Sequence, residues 1–410
     1  MLFPSAPLSF AVEITYACNN TCSGCSNVWQ SHRDQTLQNW KPLFDQIAPP
    51  ENRNKYAELI RITGGEPTLH KEFRQIIEYI DTFKIAHAIF TSGRWNHPDN
   101  IIDLYLNCKN FIGMLISLHG STKYAHNSFV ESTDNAFDET STNIRKASQA
   151  GIDVFSNTVL TKYTCEQIEE VIALSQKLGA SYAVFNRFLG GPHPLDPTEK
   201  QLHKAVILIE KLQKQGVPCR IGNCVPKCFA DNSSEGANGG IEHCAVSPKG
   251  FVRPNNQTDY IFGNIFEQPV EQIWQSEKAL WYRNQIPEDC FECVELSRCR
   301  GGEKRVIEGS FSTPVVKKDR LMKRPVKESS QETMIFDPEL KPIPFFNVRK
   351  ESFGYLLARY NWSVPVSDEA KPIVDAVNGK NTLEQLQRQF GDEALDFVGY
   401  LYREGCIGFE

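Results

Sequence analysis

The sequence predicts an α/β protein: a parallel sheet flanked by helices, then a cysteine-rich region and a small C-terminal unit. Three observations carry that expectation. Apolar strand-like runs alternate with amphipathic stretches through the first half of the chain, the pattern of a parallel sheet. Cys18, Cys22 and Cys25 fall just past the first of those runs. Seven more cysteines crowd residues 219–299, ahead of a separate helix-bearing pattern that closes the chain.

Candidate strands are Ser9–Tyr16, Leu59–Thr63, Ala86–Thr91, Gly113–His119, Val154–Leu160 and Tyr182–Phe188. Between them lie stretches such as Lys71–Phe83, where Phe73, Ile76, Ile77, Tyr79 and Ile80 make a broad apolar band. In barrels and open parallel sheets alike, reactive groups gather at the C-terminal ends of the strands. The cysteine triplet sits where that rule puts a cofactor.

Three thiolates at these spacings can hold three corners of an iron–sulfur cube and leave the fourth iron without a protein ligand. A structural zinc site would be closed by a fourth Cys or His at comparable spacing. The nearest candidate is His32, seven residues on in a polar stretch. Zinc and chance clustering stand as the alternatives at this point.

At 410 residues the chain has room for two or three domains and needs no disulfide framework. Its formal charge of −6 argues against a dedicated nucleic-acid binder. No apolar run reaches about 18 residues, and the N-terminus lacks a basic region followed by a long apolar one. A cytoplasmic protein with no membrane span is expected. Clustered cysteines in a reducing compartment read as metal ligands rather than disulfides. Cys108, Cys165 and Cys406 stand apart from both groups and read as small buried hydrophobes.

The second strand ends in Thr63-Gly64-Gly65-Glu66-Pro67, where two glycines allow close backbone approach and Pro67 stiffens the exit. Alone this is an ordinary strand–helix turn. About 40 residues after a CxxxCxxC loop, it closely resembles the radical S-adenosylmethionine (SAM) superfamily across roughly residues 9–190. The resemblance implies a partial (β/α)6 TIM-like barrel over residues 1–215. It also implies a [4Fe–4S] cluster on Cys18, Cys22 and Cys25, with SAM chelating the open iron. Gly64, Gly65 and Glu66 would lie along the methionine amine, and Ser92, Ser117 and Asn157 would be further polar contacts. Tyr16 would pack beside the cluster loop or simply in the core. Reductive cleavage of SAM would yield methionine and a 5′-deoxyadenosyl radical, with an electron donor such as flavodoxin or ferredoxin.

The second cysteine group resembles the SPASM extension of radical SAM peptide maturases, here residues 216–303. Cys244, Gly250, Gly263-Asn264-Ile265, Trp274, Cys290, Cys293 and Cys299 match its pattern. Two positions depart from it. Asn255 and Glu303 stand where the family carries cysteines. At least one auxiliary [4Fe–4S] cluster is expected. Two arrangements stay open: one cluster on Cys244, Cys290, Cys293 and Cys299, or two clusters that recruit Cys224 and Cys228.

Residues 304–331 are rich in Lys and Arg and poor in apolar periodicity, which reads as a basic linker, either a solvated tether or a patch for an acidic peptide. Residues 332–410 form a winged-helix-like unit with strand-like pieces at Thr333–Phe336, Phe345–Val348 and Phe353–Leu357. Asn381-Thr382-Leu383-Glu384 has the form of a helix start, and Gly391 stands where that helix would stop. A last helix carries Leu395, Val398, Leu401 and Tyr402. Asp392, Glu393, Asp396 and Glu404 make that helix acidic, against phosphate contact. The unit resembles PqqD-like precursor-recognition domains, which implies a ribosomally made precursor peptide as partner, bound by strand addition. Crosslinking, thioether formation, epimerisation and backbone excision are all within that family's chemistry. The competing expectations are a radical SAM enzyme acting on a folded protein or small metabolite, and a non-enzymatic iron–sulfur or zinc scaffold.

Overall fold

The computed structural model describes residues 2–25, 34–47, 57–132, 135–189, 193–230, 236–307, 315–323, 325–326, 336–360 and 362–410. His32 and most of the piece Thr333–Phe336 lie outside them.

Among the described residues the frame is one ten-stranded sheet. Its parallel part comprises β1 (Ser9–Thr15), β2 (Leu59–Gly64), β3 (Ala86–Thr91), β4 (Phe111–Ser117), β5 (Val154–Leu160), β6 (Tyr182–Arg187) and β7 (Cys219–Ile221), side by side in chain order. Helices α1 (Leu37–Ile47), α2 (Phe73–Asp81), α3 (Pro98–Leu106), α4 (Lys123–Val130), α5 (Ala136–Gln149), α6 (Ile168–Lys177) and α7 (Glu199–Lys214) make the crossovers. This is the expected (β/α)6 arrangement with one short strand added. In α2, Phe73, Ile76, Ile77 and Ile80 are buried at helical spacing and form the stripe that seats it on the sheet. Every residue of β1 is buried, as a central parallel strand requires.

The sheet continues on the other side of β1. β8 (His243–Val246) runs parallel to it, with Cys244 opposite Phe10. β9 (Phe251–Arg253) and β10 (Gly263–Asn264) follow as antiparallel neighbours. Helices α8 (Val270–Trp274), α9 (Glu277–Asn284) and α10 (Leu296–Cys299) complete the region, and Trp274 is fully buried with its indole N–H on the Pro4 carbonyl at 2.9 Å. The cysteine-rich region therefore grows out of the barrel sheet itself.

The stretch expected to be a linker is packed where it is described. β11 (Arg305–Ile307) and β12 (Val315–Lys317) form a hairpin. Lys304 and Leu321 are buried, and buried Asp319 takes Arg187 Nη1 at 2.9 Å. Lys318, Arg320 and Lys323 pair with Asp289, Asp196 and Glu199. Three of its cations are thus held by nearby carboxylates, which a count of basic residues cannot reveal.

β13 (Pro342–Pro344) pairs with the terminal β17 (Ile407–Phe409) around a three-stranded antiparallel sheet of β14 (Asn347–Glu351), β15 (Gly354–Arg359) and β16 (Trp362–Val366). Helices α11 (Lys371–Ala376), α12 (Leu383–Phe390) and α13 (Asp392–Arg403) cover one face through Leu386, Val398 and Leu401. Thr382 and Gln385 form a reciprocal cap at the start of α12, and Gly391 ends it at φ 82°. The other face meets the barrel: Leu356 and Ala358 pack on Leu8, just before β1. Arg349 donates to the Ala6 carbonyl at 3.0 Å, and Glu351 accepts the Ser5 N–H at 3.0 Å. Cys406 and Cys165 are buried among apolar neighbours, as expected.

Candidate functional site

The cysteine loop leaves β1 at the C-terminal end of the barrel and lies against the end of α4. Thr21 and Ser23 donate their N–H groups to the carbonyls of Val130 and Phe129 at 3.2 and 2.8 Å. Ser23 Oγ donates to Glu131 at 2.6 Å, and Arg94 donates to the Asn19 carbonyl and to Asn20 Oδ1 at 2.9 and 2.7 Å. Cys25 N–H closes a turn on the Cys22 carbonyl at 3.1 Å. Gly24 sits at φ +70°, where a Cβ would fall 2.3 Å from the Phe188 ring. Burial and the neighbouring Cys25 and Cys18 push the Cys22 thiol well above its ordinary range. Burial also raises Cys18, with Glu66 and Cys25 adding to it. Thiols so crowded are poor free acids, and an electrophilic metal is what removes their protons.

The glycines of the GGEP turn answer to this loop. Gly65 N–H bonds the Thr15 carbonyl at 2.8 Å, and Glu66 N–H bonds that of Ala17 at 2.7 Å. A Cβ on Gly64 would lie 2.3 Å from the Thr15 oxygen. The close approach inferred from the sequence is thus made to the cysteine loop's own backbone.

Glu66 is fully buried, and its carboxylate is saturated. It accepts from Thr68 N–H and O–H at 3.3 and 2.7 Å, Thr91 O–H at 2.8 Å, and Ser92 N–H and O–H at 2.7 Å. Glu66 therefore clamps the ends of β2 and β3, and the Ser92 hydroxyl is spent on it. Ser117, the last residue of β4, is the register partner of Asn157 in the middle of β5; both are half-buried, and Asn157 accepts from Asn186 at 2.5 Å. Tyr16 is buried beside the turn. Arg94, Asn19 and Glu131 organise the loop without any signal in the local sequence, since their partners lie up to 108 residues away.

A second cysteine site lies in the extension. Cys228, Cys290, Cys293 and Cys299 line one small cavity, along with Lys227 and Met322. Cys293 N–H turns back on the Cys290 carbonyl at 3.1 Å, and Cys299 N–H on that of Glu295 at 2.7 Å. Burial and the other three thiols push Cys290 up to about 11. Cys244 is not brought there; it is buried in the main core. Cys224 is buried with Arg187, Glu303 and Cys299 as its electrostatic neighbours.

Among the described residues, neither cysteine group brings three sulfurs within 4.8 Å of one another. A single tetrahedral zinc, with Zn–S of about 2.3 Å, needs sulfurs roughly 3.8 Å apart. The all-thiol donor set of each group fits an iron–sulfur cluster. No helix among those residues is long and apolar enough to cross a membrane.

Residues 12–175 match the Radical SAM superfamily, and residues 236–294 match SPASM, an iron–sulfur cluster-binding domain. Mycofactocin maturase MftC of Mycolicibacterium smegmatis is 23% identical over 368 residues, covering 80% of this chain and 89% of that protein. The AdoMet-dependent heme synthase of Methanosarcina barkeri is 23% identical over 333 residues, covering 73% of this chain and 92% of that protein. Streptococcus suis SuiB bound to precursor peptide SuiA has a similar fold, with a TM-score of 0.62 at 16% identity over 73% of this chain and 72% of that one. So does anSMEcpe with bound AdoMet and Cp18Cys peptide, with a TM-score of 0.58 at 19% identity over 72% of this chain and 88% of that one. Barrel, cysteine loop, GGEP turn and cysteine-bearing extension agree with both matched domains. The chain is a radical SAM enzyme with a SPASM extension, and its cofactors are SAM and iron–sulfur clusters.

Proposed function

We propose that this enzyme modifies a ribosomally made precursor peptide by hydrogen abstraction, and that residues 336–410 capture the peptide's leader. The observation that carries the reading is the interlocking of the cysteine loop with the GGEP turn at the mouth of the barrel, Glu66 N–H to Ala17 carbonyl at 2.7 Å. Cys18, Cys22 and Cys25 would ligate three irons, with SAM along Gly64–Glu66 and the polar pair Ser117 and Asn157. When bound, the reduced cluster supplies the electron that splits SAM into methionine and a 5′-deoxyadenosyl radical. The protein's share is binding, orientation and exclusion of water. Glu66 and Ser92 act through the loop they brace.

Support for a peptide comes from a maturase relative, a fold neighbour solved with a precursor peptide, and the C-terminal unit. Among the described residues, outer strands β14 and β16 each have a neighbour on one side only. Such edges accept an extended peptide by main-chain hydrogen bonds. Leader docking there would raise the core peptide's effective concentration at the barrel. We assign the enzyme to the cytoplasm, with reduction by a flavodoxin- or ferredoxin-type donor. A small-metabolite substrate is the second reading, favoured by the relative named as a heme synthase.

The test is 5′-deoxyadenosine release by anaerobically reconstituted protein with SAM and a strong reductant, wild type against Cys22→Ala, run with and without any short leader–core peptide found encoded beside the gene. Product from wild type alone, and a mass change in the peptide, are expected. SAM cleavage that no such peptide stimulates, with no peptide binding to residues 336–410, would favour the metabolite reading.

A further inference from the structure

We infer that the extension holds a single auxiliary cluster, ligated by Cys228, Cys290, Cys293 and Cys299, and that a hydrogen bond between Asn255 and Glu303 has replaced a second. The inference rests on the reading of the chain as a cluster-bearing enzyme and names its ligands.

Four cysteines face one cavity, and they come from two parts of the chain. Three sit on the tight winding from the short turn Glu288–Cys290 to α10, where successive N–H bonds to the carbonyls of Cys290, Cys293 and Glu295 curl the backbone round the cavity. The fourth, Cys228, comes from the loop after β7 and precedes the segment that matches the SPASM domain. Its sulfur accepts the Lys323 N–H at 3.2 Å. Hydrogen bonds of this kind stabilise thiolates and tune a cluster's potential. A complete set of four thiolates leaves no iron open, so this site suits electron transfer or structure rather than substrate chelation.

The positions that would serve a second cluster are occupied otherwise. Asn255 Nδ2 donates to Glu303 Oε1 at 2.6 Å, and Asn255 Oδ1 accepts the Gln257 N–H at 2.8 Å. Both ends of the amide are used. Gly239 leaves room for it: a Cβ there would lie 3.0 Å from Asn255 Nδ2. Of the remaining thiols nearby, Cys244 is held in β8 among core side chains. Cys224 lies next to Arg187, itself bound to Asp319. Cys224, beside Glu303 and Cys299, and Cys244 in the core supply two thiols where a cube takes four, so a second ligand set is incomplete.

The experiment counts iron and sulfide per full-length chain after anaerobic reconstitution and records the EPR spectrum of the reduced protein. Two cubes give about eight irons in wild type. The triple variant C18A/C22A/C25A should keep about four. Adding Cys228→Ala should take the count below that and change the spectrum, whereas adding Cys224→Ala or Cys244→Ala should leave both unchanged. Cys228→Ser, nearly isosteric, guards against a folding defect, with circular dichroism as the check. About twelve irons in wild type would overturn the inference. So would loss of the remaining cluster on Cys244→Ala with retention on Cys228→Ala. Zinc in place of iron throughout would instead overturn the functional reading beneath it.

Discussion

Gly65 lies so close to Ala17 that a Cβ on the glycine would fall 2.2 Å from the Ala17 carbonyl oxygen. The turn after β2 and the loop after β1 are therefore one unit, and the cysteines inherit their placement from both. Gly65→Ala should separate them. Overpacking of backbone on backbone costs about 1–3 kcal/mol or more. The expected result is loss of the barrel cluster's iron with a lowered unfolding midpoint, read by iron analysis and thermal melting. Wild-type iron content in this variant would show that the loop holds its shape without the turn.

Glu66 gathers five donors from Thr68, Thr91 and Ser92. Glu66→Gln turns one acceptor oxygen into a donor and sets it against those groups. A loss of about 1–3 kcal/mol is expected in chemical denaturation, together with weaker SAM binding in the reconstituted enzyme. Ser92→Ala, which leaves the carboxylate its other partners, should cost less. The reverse order would refute the clamp.

His126 is buried at the barrel mouth, where its Nδ1 accepts the His119 N–H at 3.0 Å. Burial, with a smaller push from Arg94, lowers its pKa to about 4. His119 is lowered by burial as well. The unfolded chain binds these protons first, so stability is retained above pH ~6.5 and falls as the pH drops toward about 4. For His126 alone the loss approaches roughly 3 kcal/mol. Apo-protein denatured at pH 7 and pH 5 should show the decline, and His126→Asn should flatten it. Equal slopes in variant and wild type would count against the assignment.

Arg349 and Glu351 are both buried where the C-terminal unit meets the barrel, with Nε to Oε1 at 2.7 Å. Arg349→Met strips the Ala6 carbonyl of its donor and leaves the buried Glu351 carboxylate without a counter-charge, held only by the Ser5 N–H. Removing one member of a buried pair costs about 3–5 kcal/mol. Faster proteolysis within residues 336–410 and weaker peptide modification, with SAM cleavage kept, are the expected outcomes. Equal loss of both activities would mean that the unit also shapes the barrel.

The barrel was legible because period and chemistry agree along each strand. β3 and β5 fall where the sequence put them, and β1 is a residue shorter. β4 begins two residues early, at Phe111, where the register with β3 shifts around Gly113. β13 and β16 escaped notice because each carries proline, which a sequence reading demotes and an edge position tolerates. Side-chain direction was the other blind spot. Nothing local announces that Glu66 turns inward to β3, or that Arg187 finds Asp319, 132 residues on. The sequence offers Cys228 as a candidate ligand without fixing its partners, because its place beside Cys290 depends on how β7 delivers the following loop.

One strand separates the two ends of the work. The C-terminal sheet rests on Leu8, at the start of β1, and the cysteine loop leaves β1 after Thr15. Seven residues at about 3.3 Å each set roughly 23 Å between those points. On the proposed docking, a leader held on the outer sheet and a residue reacting at the barrel mouth would need a spacer no shorter than that, at least about seven extended residues. The strand would then act as a ruler, and a peptide trimmed below that length would dock without reaching the cluster.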